Sequence, residues 1–165
     1  MDSADAFQQL FGGRWTDVTF YFDQLPSVNE SSVQDIRFCE AIKRSLIQPV
    51  LLRPVDLNCH GARYVFGWDE TAKEEMEKRF HHQEGFSESE AKELVRNLPK
   101  LNGSLKGIGL NLKNRPPDLL LSYLQPKQVM TLLRSYHVHF GKDLNVGLSS
   151  VVSVCGHVAV EAFIK

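Results

Sequence analysis

Asp118-Leu119-Leu120-Leu121-Ser122-Tyr123-Leu124-Gln125-Pro126 carries the strongest local structural signal in the chain. From Asp118 to Leu124 the run is nearly continuous in apolar residues and of strand length, the pattern of a strand buried on both faces of a sheet. Pro126 stands where the first turn of a helix accepts proline, and Val129, Leu132, Leu133 and Tyr136 then recur at helical spacing. A strand leading directly into a helix is a βα unit. It predicts an α/β fold, a mixed sheet flanked by helices in a single layered domain over residues 1–165. Phe20, Leu120, Leu121, Val129 and Leu133 are the expected leaders of its core.

Working outward, Arg115-Pro116-Pro117 is a turn, and Leu105 to Leu112 alternates with glycines, as in a strand closely approached by another backbone or a ligand. Ser87 with Glu90 makes a capping box for a helix buried through Ala91, Leu94, Val95 and Leu98. Asp69 caps a polar helix reaching about Arg79. Near the start, Ala4 to Phe11 suits a short helix, and Trp15 to Asp23 alternates as a strand, with Val18, Phe20 and Phe22 on one side. Ile36, Cys39, Ile42 and Leu46 predict a helix from about Val33 to Ile47. Pro49 and Pro54 bracket Val50-Leu51-Leu52, which suits an edge strand. Asp56 to Gly61 reads as a turn into a short helix, Ala62 to Phe66, ended by Gly67. The stretch Gly147 to Lys165 is small and β-branched and fits strand or helix.

Composition bounds the function. The chain of 165 residues is long enough to bury roughly 70% of its unfolded surface without staples. Nineteen basic residues face twenty acidic ones, so no charge excess calls for nucleic acid or an anionic membrane as partner. The acidic Met1-Asp2-Ser3-Ala4-Asp5 does not start a signal peptide, and no segment approaches the roughly 20 apolar residues of a membrane span. Three cysteines are an odd number, which gives no sign of an oxidising compartment. A cytoplasmic protein is expected, with the sequons at Asn29 and Asn102 as accidents. A small ligand or a protein partner stays open.

The pointed chemistry lies in Cys39, Cys59 and Cys155. In Cys59-His60-Gly61-Ala62-Arg63 a thiol precedes a helix whose dipole favours the thiolate, with Arg63 one turn on and Gly61 allowing a tight turn. The alternative is a packed cysteine in a strand-to-helix turn, with His60 on the surface. Cys155-Gly156-His157 has a similar makeup, among Ser149, Ser150, Ser153 and Ala159. Cys39, spaced with Ile36 and Ile42, is expected on the buried face of its helix. Three thiolates from separate elements are a donor set for zinc or an iron–sulfur cluster, with His60 or His157 completing the shell. The spacings, 20 residues from Cys39 to Cys59 and 96 from Cys59 to Cys155, match no zinc ribbon or ferredoxin. His81-His82 and the pair His137 and His139 read as helix ends. No Walker loop, G-x-G-x-x-G, H-E-x-x-H or G-x-S-x-G occurs.

Four passages carry a family likeness: Arg37-Phe38-Cys39-Glu40-Ala41-Ile42, Leu57-Asn58-Cys59-His60-Gly61-Ala62-Arg63-Tyr64-Val65-Phe66-Gly67, Pro117 through Pro126, and Ser150-Val151-Val152-Ser153-Val154-Cys155. In these the chain resembles the domain of unknown function 169, found in archaea and anaerobic bacteria. The resemblance implies a cytoplasmic α/β protein and puts all three cysteines at motif positions. It supplies no established activity. It also implies a further glycine- and cysteine-containing segment beyond Cys155, so this chain is a short member or lacks that segment. His60 departs from the smaller or apolar residue expected there.

Three readings follow. In the first, a cofactor, metal or small ligand is held by the thiolates of Cys39, Cys59 and Cys155 with Gly61 and Arg63. In the second, a non-catalytic domain packs its cysteines. In the third, Cys59 is an enzyme nucleophile with His60 or His157 as base.

Overall fold

The computed structural model describes residues 14–27, 33–142 and 153–164. The helix expected over Ala4 to Phe11, the sequon at Asn29, and Gly147 to Val152 lie outside the described residues. The expected α/β architecture is present. Strand β1 (Arg14–Tyr21) is followed by helix α1 (Phe38–Ser45), strand β2 (Val50–Leu52), a 3-10 turn (Pro54–Asp56) and helices α2 (His60–Val65), α3 (Ala72–Glu84) and α4 (Glu88–Arg96). Strands β3 (Gly107–Leu110) and β4 (Leu119–Tyr123) come next, then helix α5 (Pro126–Phe140), a π-helix (Ser153–Val160) and a last turn, α6 (Glu161–Ile164).

The four strands run in the order β2-β3-β1-β4, and every pairing among them is antiparallel. The parallel contact is an isolated bridge, Ile36 to Leu57. β1 is central and covered on both faces, since Val18 and Phe20 on one side and Thr19 and Tyr21 on the other are all buried. Phe163 of α6 packs against the end of β1, its ring 4.5 Å from Phe20 and stacked 5.8 Å from Phe22 just beyond the strand. The close approach expected at the glycines of β3 is real: a Cβ on Gly107 would stand 2.8 Å from the Leu52 carbonyl oxygen of β2.

β4 corrects the opening expectation. It is an edge strand, and of its residues only Leu121 is buried, while Leu120 and Tyr123 are exposed. Among the expected core leaders Phe20 and Leu121 are buried, Leu120 and Val129 are exposed and Leu133 is half-buried. A short apolar run is compatible with either burial, because its periodicity carries no information on how many layers cover it. The core instead gathers around Phe38, Ile42, Leu52, Val65, Phe66, Ile108 and Leu110. Position comes to β4 through polar anchors: Asp118 Oδ2 accepts from the Phe20 amide at 2.7 Å, and Arg115 donates to the Phe20 carbonyl at 2.7 Å.

Helix α1 begins at Phe38 rather than near Val33, because Ile36 is extended and bridged to Leu57. Its buried stripe is Phe38, Ala41, Ile42 and Ser45, which leaves Cys39 exposed instead of facing the core. The Ser87–Glu90 capping box forms as expected, with the Ser87 amide 2.8 Å from the Glu90 carboxylate. Gly67 ends α2 at φ +72°, and a Cβ there would stand 2.5 Å from the Leu101 carbonyl oxygen. Both the left-handed backbone and the backbone clash oppose any side chain. Gly67→Ala is expected to destabilise the fold by about 2–3 kcal/mol, seen as a lower urea midpoint at unchanged slope.

Candidate functional site

The bridge between Ile36 and Leu57 builds the site. The Ile36 amide donates to the Asp56 carbonyl at 3.0 Å, and the Asn58 amide donates to the Ile36 carbonyl at 3.2 Å. The Asn58 side chain reinforces the join, donating to the Asp35 carbonyl at 3.0 Å. Two chain segments therefore run side by side and turn into helices within a few residues. Cys39 is the second residue of α1, and Cys59 is the N-cap of α2 with extended dihedrals (φ −94°, ψ 112°). Its carbonyl receives the Arg63 amide at 3.0 Å. The π-helix packs across both α1 and α2 and also touches β4, which delivers Cys155 from the far end of the sequence. Wide π turns are rare and recur at functional sites.

As a result Cys39, Cys59 and Cys155 line one cavity of about 590 Å³. Cys39 is exposed, Cys59 half-buried and Cys155 buried. Burial pushes the Cys155 thiol up to about 12, and charge on Cys59, then on Cys39, would push it further the same way. The Tyr123 phenol of β4 is also raised, by burial first and by Cys39 second. These mutual influences place the three sulfurs in one electrostatic neighbourhood.

His60 and Gly61 line the same cavity beside Cys59. Arg63 does not contribute to the lining. Its guanidinium pairs with Asp69 at 2.8 Å, and the Asp69 carboxyl is held below the usual range by the Thr71 hydroxyl and, less strongly, by Arg63. Arg63 is thus committed to the turn after α2. His157 lies in the π-helix, and its side chain is outside the described residues.

α3 supplies a further part of the lining that no motif announced. Met76 and Phe80 give it an apolar floor, and Lys78, Arg79, His82, Gln83 and the carboxylates of Glu75 and Glu84 form its rim. Two of the cations are answered locally, Lys78 by Glu75 at 3.3 Å and Arg79 by Glu84 at 3.4 Å. Arg37, at the start of α1, has no ion pair among the described residues. His82 was legible only as a helix end. Helix phase was the available signal, since Met76, Arg79, Phe80 and Gln83 share one side of α3.

Among the described residues no group of three His, Cys, Asp or Glu side chains is set to hold a metal ion. No hydrogen bond joins Cys59 to His60 among them, and no helix is long and apolar enough to cross a membrane. What the arrangement offers is a half-open, mixed polar and apolar cavity lined by both soft thiols and cations. No curated protein and no solved structure matches the chain. The family model described as Uncharacterised ArCR, domain of unknown function 169, matches residues 18–165, the span that carries the second half of β1, the bridge and all three cysteines. The chain belongs to the domain of unknown function 169 family.

Proposed function

We propose that this protein is a cytoplasmic small-ligand or cofactor-binding module whose site is the thiol-lined cavity. The observation that carries this reading is the convergence of Cys39, Cys59 and Cys155, far apart in sequence, on one cavity. Its volume of about 590 Å³ lies in the usual range for small-molecule sites, roughly 300–1,000 Å³. Cysteines serving only the core would sit on buried helix faces, and Cys39 does not. The side chains favour an organic ligand or a preassembled cofactor over a single bare ion, because the described thiols are not gathered into a three-ligand cage. Balanced charge argues against nucleic acid as partner. A nucleophile role for Cys59 ranks below binding, since His60 shares the cavity without a hydrogen bond to that thiol.

Purification under nitrogen tests the reading, followed by iron, zinc and sulfide analysis and native mass spectrometry. A stoichiometric small molecule or cluster is expected with the wild-type chain, and occupancy should fall at least about tenfold in Cys59→Ser, the loss of one strong contact. Equal occupancy in wild type and a folded variant lacking all three thiols would overturn it and favour a domain with merely packed cysteines.

A further inference from the structure

We infer that Cys39 and Cys59 form a dithiol–disulfide couple at the mouth of this cavity, matched to small disulfides that carry negative charge. The inference rests on the cavity being the functional site and adds a reaction to it. The geometry begins at the bridge, where Ile36 and Leu57 are held as neighbours on parallel segments. Bridged segments run roughly 4.8 Å apart. Cys39 and Cys59 follow three and two residues on and both line the cavity, so the two thiols reach it on segments that leave the bridge side by side, and a disulfide asks for Cα atoms roughly 4.4–6.8 Å apart.

Accessibility sets the order of events. Cys39 is exposed and meets an incoming disulfide first. Its thiolate attacks one sulfur, the S–S bond of the small molecule breaks, and one thiolate leaves with a proton from solvent. Cys59, half-buried beside it, then attacks the Cys39 sulfur of the mixed disulfide. The Cys39–Cys59 bond forms and the second small thiol leaves, again taking a proton from solvent. Two electrons pass from the protein to the small disulfide, which is the oxidant. Cys155 is buried behind the pair and takes no part.

Charge selects the partner. Lys78 and Arg79 are answered by carboxylates, whereas Arg37 has no ion pair among the described residues and lies with His60 and His82 on the same cavity. An anionic disulfide is favoured there over a cationic one.

The test exposes the full, reduced chain to oxidised glutathione or to cystamine, its cationic counterpart. Thiols are counted over time and products mapped by mass spectrometry, with circular dichroism as a check on folding. With oxidised glutathione the wild type should lose two of its three thiols and yield a Cys39–Cys59 bridge. Cys59→Ser should stop at a mixed disulfide on Cys39, and cystamine should react about tenfold more slowly at low salt. A mixed disulfide persisting on wild-type Cys39, a bridge that includes Cys155, or equal rates for the two reagents would overturn the proposal. If the chain nonetheless retains a stoichiometric ligand through Cys59, the binding role stands and only the couple fails.

Discussion

Phe66→Ala is expected to lower the stability of the folded chain by about 3–5 kcal/mol, measured by urea unfolding. Phe66 is fully buried and ends α2. Its ring meets Phe38 edge-on at 4.9 Å and Trp68 at 5.3 Å, and Trp68 is itself anchored by a 2.6 Å hydrogen bond to the Leu105 carbonyl. Truncation removes the transfer free energy of an aromatic ring and leaves a void beside Phe38 and Trp68. The contact has a second consequence. Phe38 is the first residue of α1, so the pair ties the start of the helix that bears Cys39 to the end of the helix that Cys59 caps. In Phe66→Ala the Cys39–Cys59 bridge should therefore form more slowly even where the chain remains folded. Phe66→Leu keeps most of the volume and is expected to cost less than about half as much. Equal stability of the alanine variant and wild type would mean that the two helices are held together by something other than this pair.

Local chemistry was readable wherever a residue acts on its immediate neighbours. The Ser87 capping box, the stop at Gly67 and the short edge strand between Pro49 and Pro54 all depend on backbone geometry within a few positions, and all are found where the residues placed them. The apolar run of β4 and the phase of Cys39 depend on tertiary context. Ile36 looked like part of a helix by spacing, yet it is spent on the bridge to Leu57, 21 residues on. That single pairing moves the start of α1 and turns Cys39 outward. The cavity lining on α3 was equally hidden, because that helix read only as polar, and the burial of Met76 and Phe80 takes on meaning once α2 is packed beside it. Cysteine identity and glycine placement singled out these positions; that the three cysteines line one cavity required the fold.

Cys155 makes the fold pH-sensitive on the alkaline side. Its thiol is raised from an ordinary value of 9.0 to about 12 in the folded chain, chiefly because burial penalises the thiolate, with Cys59 adding to it. A raised acid group favours the protonated, folded state. Its contribution is therefore fully present below pH 9.0 and is lost progressively as pH rises through about 12. Three units correspond to about 4 kcal/mol across that window, and roughly half is lost by pH 10.5. Lysines and tyrosines titrate in the same range, so the informative quantity is the difference between wild type and Cys155→Ala. The variant pays a cavity cost that does not depend on pH, and its stability should gain on wild type by about 2 kcal/mol between pH 8 and pH 10.5. Alkylation gives an independent reading of the same thiol. Iodoacetamide should modify Cys39 first and Cys155 last, with Cys155 reacting only as the folded state opens. A stability difference that stays flat from pH 8 to pH 10.5 would show that Cys155 reaches solvent or a positive partner, and would make it an accessible part of the cavity's lining.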